Sequence, residues 1–177
     1  MTDLTTINPA PFVSRVREVE KDWIDYNGHL NIAYYLVLFD RSIEDLFSVL
    51  GIGAQYAATR RLTTYTAELH VCYVRELHLG HKVFCNARIL DFDERRLRIY
   101  QEMRHEDGWL AATAETLNLH IDMDGPRITP FPADILANIE TVRTQHAKLP
   151  VPERAGRAIA IRRKKSASMP HRPQKAR

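Results

Sequence analysis

The feature that most limits the fold of this chain is an apolar stripe along residues 31–50. Apolar side chains recur there at intervals of three and four residues for about five turns, which predicts one amphipathic helix with a single buried face. The stripe consists of Ile32, Tyr35, Leu36, Phe39, Ile43, Leu46, Phe47 and Leu50. Gly51 follows at once and provides a typical helix stop. A helix that is apolar along its whole length predicts a sheet that covers it.

Beyond the helix, the apolar period changes from helical to alternating, which predicts β-strands. The alternation occupies residues 69–74, 83–89, 97–103 and 117–121, and turn residues such as those at 91–94 separate the segments. Short turns between successive antiparallel strands predict a four-stranded meander.

Three further segments flank this pattern. Residues 12–20 are rich in valine and predict a strand before the helix, although the valines do not alternate cleanly. A short helical turn is predicted at residues 53–59 and a final helix at about 132–148. The resulting order of strand, long helix, four strands and helix predicts an α+β domain.

Length and charge divide the chain into one domain and a tail. With 177 residues and 45% apolar composition, the chain can form one substantial core, which we assign to residues 1–150. Residues 151–177 are predicted to be a basic, disordered tail. From residue 153 onward there are 9 Lys and Arg against one acidic residue, whereas the rest holds 16 basic and 21 acidic residues. The globular part is therefore acidic. A basic tail can bind nucleic acid or a membrane, but short basic tails without aromatic residues are more often plain disordered ends, so no nucleic-acid partner is predicted.

Several other classes of protein lack support in the sequence. No apolar run approaches the roughly 18 residues of a membrane span, and residues 1–11 are too polar for a signal peptide, which predicts a cytoplasmic protein without a membrane partner. Cys72 and Cys85 lack the spacing of a zinc or redox site and are interpreted as reduced, buried or half-buried thiols. His78 and His81 form the only close histidine pair, but no third ligand has suitable spacing, so no metal is predicted.

The chemistry is concentrated in the segment Asp25-Tyr26-Asn27-Gly28-His29-Leu30-Asn31, which leads directly into the long helix. It supplies a carboxylate, an amide and an imidazole within five residues, while Asn31 is a good N-cap. The free N–H groups of the helix start, together with the positive end of its dipole, can stabilise a carbonyl oxygen that becomes negative. The sequence therefore indicates acyl chemistry.

The motif and the order of elements resemble a known family. The D-x-x-G-H-x-N-x-x-Y run from Asp25 to Tyr34 is similar to that of the 4-hydroxybenzoyl-CoA thioesterase-like branch of the hotdog acyl-CoA thioesterases. The run Tyr73-Val-Arg-Glu-Leu-His-Leu-Gly80 resembles the Tyr-x-Arg-Glu…Gly strand and turn of that family. The resemblance spans about residues 12–145 and implies a hotdog fold, in which an antiparallel β-sheet wraps around a long central helix.

The same resemblance implies roles for individual residues. Asp25 matches the catalytic carboxylate, which either attacks the thioester carbonyl or activates water, and the helix start after it would be the oxyanion site. Asn27 and His29 match an Asp-x-Asn-x-His pattern in plant acyl-ACP thioesterases, and Glu76 matches a carboxylate there, although the spacing from His29 to Glu76 is longer in this chain. Another hotdog arrangement carries the carboxylate on the helix, at Asp40 or Glu44 here; both lie on its polar side, which favours solvated charges.

Aromatic residues are dense around the motif, at Trp23, Tyr26, Tyr34 and Tyr35. Such rings usually belong to a core, but they could also bind a quaternary ammonium acyl group, because ring faces attract these cations. The chain also resembles the small thioesterases of carnitine breakdown, which implies betainyl-CoA as the substrate class. CoA is then a substrate and no bound cofactor is expected. The family further implies a homodimer or homotetramer, and the alternative is a catalytically silent hotdog domain that binds acyl-CoA or a protein partner.

Overall fold

The computed structural model describes residues 10–161. The helices are α1 (Ile32–Leu50), α2 (Ala54–Arg60) and α3 (Ala133–His146), with a single 3-10 turn at Lys21–Trp23. The strands are β1 (Phe12–Val13), β2 (Arg17–Glu18), β3 (Leu62–Tyr73), β4 (Lys82–Phe92), β5 (Arg96–His105), β6 (Leu110–Asp122) and β7 (Arg127–Ile128). The predicted α+β class and all three predicted helical segments are confirmed.

The long helix forms where its stripe predicts it. The side-chain oxygen of Asn31 accepts a hydrogen bond from the N–H of Ala33 at 3.0 Å, so Asn31 is the predicted N-cap. Gly51 ends the helix in the left-handed conformation with φ of 82°, which a residue with a side chain rarely adopts. The buried face contains Tyr35, Leu38, Phe39, Ser42, Ile43, Leu46, Phe47 and Leu50.

The strand order corrects one prediction. The sheet runs β1-β4-β5-β6-β3, so β4, β5 and β6 form the meander, but β3 pairs with β6 instead of β4. Residues 74–81 connect β3 to β4, and this link is longer than the usual hairpin turn of about 2–5 residues. It crosses three strand spacings, or about 14 Å, which eight extended residues can span. Alternation predicts the face of each side chain but not the neighbour of each strand.

The amino-terminal strand is also divided. β1 and β2 both pair antiparallel with β4, with Phe12 opposite Ala87 and Arg17 opposite Val83. Between them, the hydroxyl of Ser14 replaces a ladder contact by accepting the N–H of Cys85 at 2.9 Å. The imperfect valine alternation in residues 12–20 reflects this interruption.

The sheet wraps around α1, which is the predicted hotdog arrangement. Two clusters of buried side chains fill the space between the helix and the strands, one around Leu46 and Ile99 and one around Leu38 and Met103. On the far side, β3 pairs only with β6 within residues 10–161, so its other edge is open there. None of the helices described is both long and apolar enough to cross a membrane.

The first residues after α3 lie against the sheet and bond to side chains of β4 and β6. The backbone carbonyl of Pro150 accepts a hydrogen bond from Arg88 at 2.6 Å, and the N–H of Gly156 donates to Glu115 at 2.6 Å. Residues 162–177 of the predicted tail lie outside the described residues, and the domain boundary at residue 150 stays a prediction.

Candidate active site

The segment before α1 forms a closed loop that presents Asp25. Ile24 and Leu30 face each other in an isolated antiparallel bridge, and the N–H of Asp25 donates to the carbonyl of His29 at 2.9 Å. Gly28 adopts a φ of 77° at the tip and donates its N–H to the carbonyl of Asp25 at 3.0 Å. The tight path therefore depends on glycine at this position.

The carboxylate of Asp25 is fixed by its own loop. Its Oδ1 accepts the N–H of Asn27 at 2.8 Å and the N–H of His29 at 3.4 Å. Within residues 10–161, Oδ2 has no hydrogen-bond partner. One oxygen thus orients the group, and the other can approach a substrate or a water molecule.

The link between β3 and β4 supports the loop from one side. The N–H of Leu30 donates to the carbonyl of Leu77 at 2.7 Å, and Nδ1 of His78 bonds the carbonyl of Gly28 at 3.1 Å. The hydroxyl of Tyr35 on α1 accepts the N–H of Leu77 at 3.1 Å. The two sequence motifs therefore meet in space, because the link carries the second motif and the loop carries the first.

A cavity of about 350 Å³ opens beside the carboxylate, and we call it the Asp25 cavity. Its lining residues are Asp25, His29, Leu30, Ile32, Tyr35, Tyr73, Val74, Arg75 and Glu76. The structure thus brings together three of the four predicted catalytic residues, Asp25, His29 and Glu76, and one of the four predicted substrate-binding rings, Tyr35. The long spacing between His29 and Glu76 does not separate them in the fold.

Electrostatics at this cavity favour an ionised Glu76. A hydrogen bond from its own backbone N–H, assisted by the nearby His29 and His78 rings, holds the pKa of the Glu76 carboxyl below its usual range. The rings of His29 and His78 pack edge to face with centroids 5.0 Å apart. Burial raises the pKa of Tyr35, which keeps its hydroxyl neutral. The lining of the Asp25 cavity thus combines the carboxyl groups of Asp25 and Glu76 with the imidazole of His29.

The start of α1 lies beside the same cavity. The N–H of Ala33 is used by the Asn31 cap, and the N–H of Tyr34 donates to the carbonyl of Asn31 at 3.0 Å. In the part of the chain that the structure describes, the N–H of Ile32 has no partner, and Ile32 lines the cavity. The N–H of Ile32 is thus the candidate donor for the predicted oxyanion site, which stays a prediction.

The remaining predicted residues lie elsewhere. Asn27 is exposed and contacts Asp25 through its backbone, while Tyr26 is 97% exposed. Trp23 is buried and stacks on Tyr34 with ring centroids 5.5 Å apart, and the guanidinium of Arg41 covers Trp23 at 5.2 Å. None of these three rings lines the Asp25 cavity.

Sequence reasoning missed Arg75, which lines the Asp25 cavity and stacks on Trp109 at 4.2 Å. Its place beside Glu76 in the second motif was the available signal. Four other arginines on or beside β4 and β5 already have partners: Arg95, Arg96 and Arg98 pair with acidic residues, and Arg88 donates to a backbone carbonyl.

Two further features of residues 10–161 bear on the sequence predictions, namely the cysteines and the possible metal ligands. Cys72 is half-buried and Cys85 is buried, and both are free as predicted. Within this part of the chain, no three His, Cys, Asp or Glu side chains converge in a way that could hold a metal ion.

A sheet around a long helix, with a carboxylate loop at the helix start, is the architecture of the hotdog thioesterases. The chain belongs to the thioesterase-like superfamily, whose sequence profile matches residues 19–139. It is therefore an enzyme of the thioester hydrolase class.

Individual proteins of this superfamily are also similar to the chain. The chain is 34% identical over 141 residues to the betainyl-CoA thioesterase of Pseudomonas aeruginosa, covering 79% of this chain and 89% of the relative. It is 32% identical over 82% of its length to the L-carnitine dehydrogenase/betainyl-CoA thioesterase of Rhizobium meliloti, but it matches only 29% of that longer protein. A Staphylococcus aureus protein solved in complex with CoA superposes with a TM-score of 0.78 at 28% identity, covering 84% of this chain and 94% of that one.

Proposed function

We propose that this thioesterase hydrolyses acyl-CoA, with betainyl-CoA as its substrate and Asp25 as its catalytic carboxylate. The observation that carries the proposal is the Asp25 carboxylate itself: Oδ1 is held by the loop, and Oδ2 has no hydrogen-bond partner within residues 10–161, beside a cavity at the start of α1. Hydrolysis converts the thioester and water into a carboxylate, the CoA thiol and a proton.

The chemistry requires few groups. An ionised carboxylate can attack the thioester carbonyl or remove a proton from water, and a thiolate leaves readily. As the carbonyl oxygen becomes negative, the N–H of Ile32 and the helix dipole stabilise it. His29 and Glu76 line the same cavity, where either can accept or orient the proton. Both roles of Asp25 remain in the proposal.

The choice of substrate rests on the relatives. The single-function relative is named for betainyl-CoA, and in the Rhizobium meliloti relative the same activity is joined to an L-carnitine dehydrogenase. This pairing supports a role in carnitine metabolism for the present chain as well.

Arg75 is proposed to contact the phosphates of CoA. It is the only Lys or Arg that lines the Asp25 cavity, and it makes no ion pair within residues 10–161. Stacking on Trp109 holds the guanidinium in place while leaving its N–H groups available for phosphate oxygens.

A homodimer or homotetramer is also proposed. The open edge of β3 is 12 residues long and carries exposed Tyr65, Leu69 and Tyr73. A long open edge with exposed apolar side chains favours pairing with another strand. A second copy of this chain would cover it and extend the sheet.

The test is an assay of CoA release from betainyl-CoA beside acetyl-CoA and benzoyl-CoA, with a thiol reagent as the detector. We expect the highest kcat/KM for betainyl-CoA. Turnover without preference for the cationic acyl group would refute the substrate, and no turnover on any acyl-CoA would favour the silent binding domain.

A further inference from the structure

A second cavity, of about 210 Å³, lies between α1 and the open side of the sheet, and we call it the Gln101 cavity. It is lined by Leu36, Phe39, Asp40, Ile43, Thr66, Leu69, Gln101 and Thr116. None of these residues lines the Asp25 cavity. We propose that the Gln101 cavity is the subsite for the quaternary ammonium group of the acyl substrate, an inference that rests on the proposed function.

Gln101 is the first observation that points to a ligand. It occupies an inward position of β5 in line with Leu97, Ile99 and Met103, and it is only 1% exposed. Its Oε1 is fully buried without a hydrogen-bond partner in residues 10–161. A buried polar atom without a partner is costly. A quaternary ammonium group has no N–H to donate, so it would stabilise this oxygen through the attraction between its charge and the amide dipole.

The polar groups beside Gln101 are joined by hydrogen bonds through Asn118. The hydroxyl of Thr66 donates to Oδ1 of Asn118 at 3.0 Å, so its lone pairs remain for the cavity. Nδ2 of Asn118 donates to the hydroxyl of Thr116 at 2.9 Å and to the carbonyl of Leu97 at 3.3 Å. Both N–H groups of the Asn118 amide are thus used within the protein and are not available to a ligand.

The charged group in the lining of the Gln101 cavity is a carboxylate, which attracts a cation. Asp40 is the only charged residue in the lining, and its carboxylate makes no ion pair among the described residues, whereas the nearby Asp45 is bonded to Arg15 and Arg17. Phe39 adds an aromatic ring, which attracts a cation over its face. The amide of Gln101 can exchange its oxygen and nitrogen by a half-turn, and a cation selects the oxygen.

The two cavities lie along the same face of α1. Tyr35 lines the Asp25 cavity and Phe39 lines the Gln101 cavity, one turn or about 6 Å further along α1. In a betainyl group the carbonyl carbon and the nitrogen are about 2.5 Å apart. The cation is attracted from within about 6 Å of a ring centroid. The proposal therefore requires the carbonyl to lie at the Tyr35 end of the Asp25 cavity, with the ammonium group directed toward Phe39.

The experiment compares betainyl-CoA with tert-butylacetyl-CoA, in which carbon replaces the quaternary nitrogen. We expect wild type to prefer the cationic ester, and Asp40→Asn and Gln101→Leu each to lower the ratio of the two kcat/KM values by roughly fivefold. Gln101→Glu should raise the ratio. Glu140→Gln, which removes one exposed carboxylate from α3, is the charge-matched control and should leave it unchanged.

The outcomes separate the two proposals. If wild type hydrolyses neither ester, the proposed function fails. If it hydrolyses both and the ratio is the same in wild type, Asp40→Asn and Gln101→Leu, the subsite is refuted while the thioesterase stands. Loss of turnover on both esters in Asp40→Asn would place Asp40 in the chemistry and overturn its assignment here.

A measurement on wild type alone tests the subsite even if the variants do not fold. Tetramethylammonium chloride should inhibit betainyl-CoA hydrolysis competitively, while sodium chloride at the same ionic strength should not. Equal inhibition by both salts would overturn the subsite.

Discussion

His146 is expected to make the stability of this protein depend on pH. The ring lies near the end of α3, where it is buried, and its Nδ1 accepts the N–H of Ile89 on β4 at 2.9 Å. Burial, with the nearby charges of Arg88 and Arg143, lowers the pKa of His146 to about 4. Protonation would turn the accepting nitrogen into a donor and remove the bond to Ile89.

The magnitude follows from the two pKa values. In the unfolded chain histidine has a pKa of about 6.5, so between about pH 6.5 and pH 4 the unfolded state binds a proton that the folded state does not. The stability is therefore fully present above about pH 6.5 and is lost as the pH falls to about 4. Each unit of difference corresponds to about 1.4 kcal/mol, which gives a loss of about 3 kcal/mol.

The assay is urea unfolding of wild type and His146→Asn between pH 7.5 and 4.5, followed by tryptophan fluorescence. Asparagine offers Oδ1 near the position of Nδ1, so it can accept the same bond without titrating. The carboxylates with lowered pKa values, such as Asp45 and Asp134, titrate in both proteins and cancel in the comparison. We expect wild type to lose about 3 kcal/mol more than the variant over the histidine range. Identical pH slopes would refute this reasoning.

Three other perturbations have defined outcomes. Tyr56→Phe should lower the free energy of unfolding in urea by about 1–3 kcal/mol. Nδ1 of the buried His120 donates to the carbonyl of Thr129, so Nε2 accepts from the Tyr56 hydroxyl at 2.8 Å and would lose that donor, the only one it has within residues 10–161; an unchanged midpoint would contradict this. Arg75→Gln should raise KM for acyl-CoA roughly fivefold but not for the corresponding N-acetylcysteamine thioester, which has no phosphates; equal changes on both esters would remove Arg75 from CoA binding. Leu69→Lys should lower the mass measured by light scattering to that of a single chain, because it places a charge on the open β3 edge; an unchanged oligomer would exclude this edge as the interface.

The helix and its two ends could be predicted because their causes are local. A period of three and four residues, an Asn cap and a left-handed glycine each depend on a few neighbouring residues. The reactive loop was visible for the same reason, since Asp25, Gly28 and His29 bond to one another within five residues.

Features that depend on contacts between residues far apart in the chain could not be predicted from the sequence. The pairing of β3 with β6 is set by the path of residues 74–81, and alternation carries no information on that choice. Trp23 and Tyr34 are near the motif along the chain, but they stack on each other instead of facing the cavity. Gln101 did leave a signal, since it is a polar residue in an apolar period-two run.

The central claim, that Asp25 performs the chemistry, is tested most directly by Asp25→Asn. The amide oxygen can still accept the N–H of Asn27, so the loop and substrate binding should be retained, while the charge that attacks or activates water is lost. With betainyl-CoA, or with the best acyl-CoA found for wild type, we expect kcat to fall by at least about 100-fold with KM little changed. A kcat within about threefold of wild type would contradict the account.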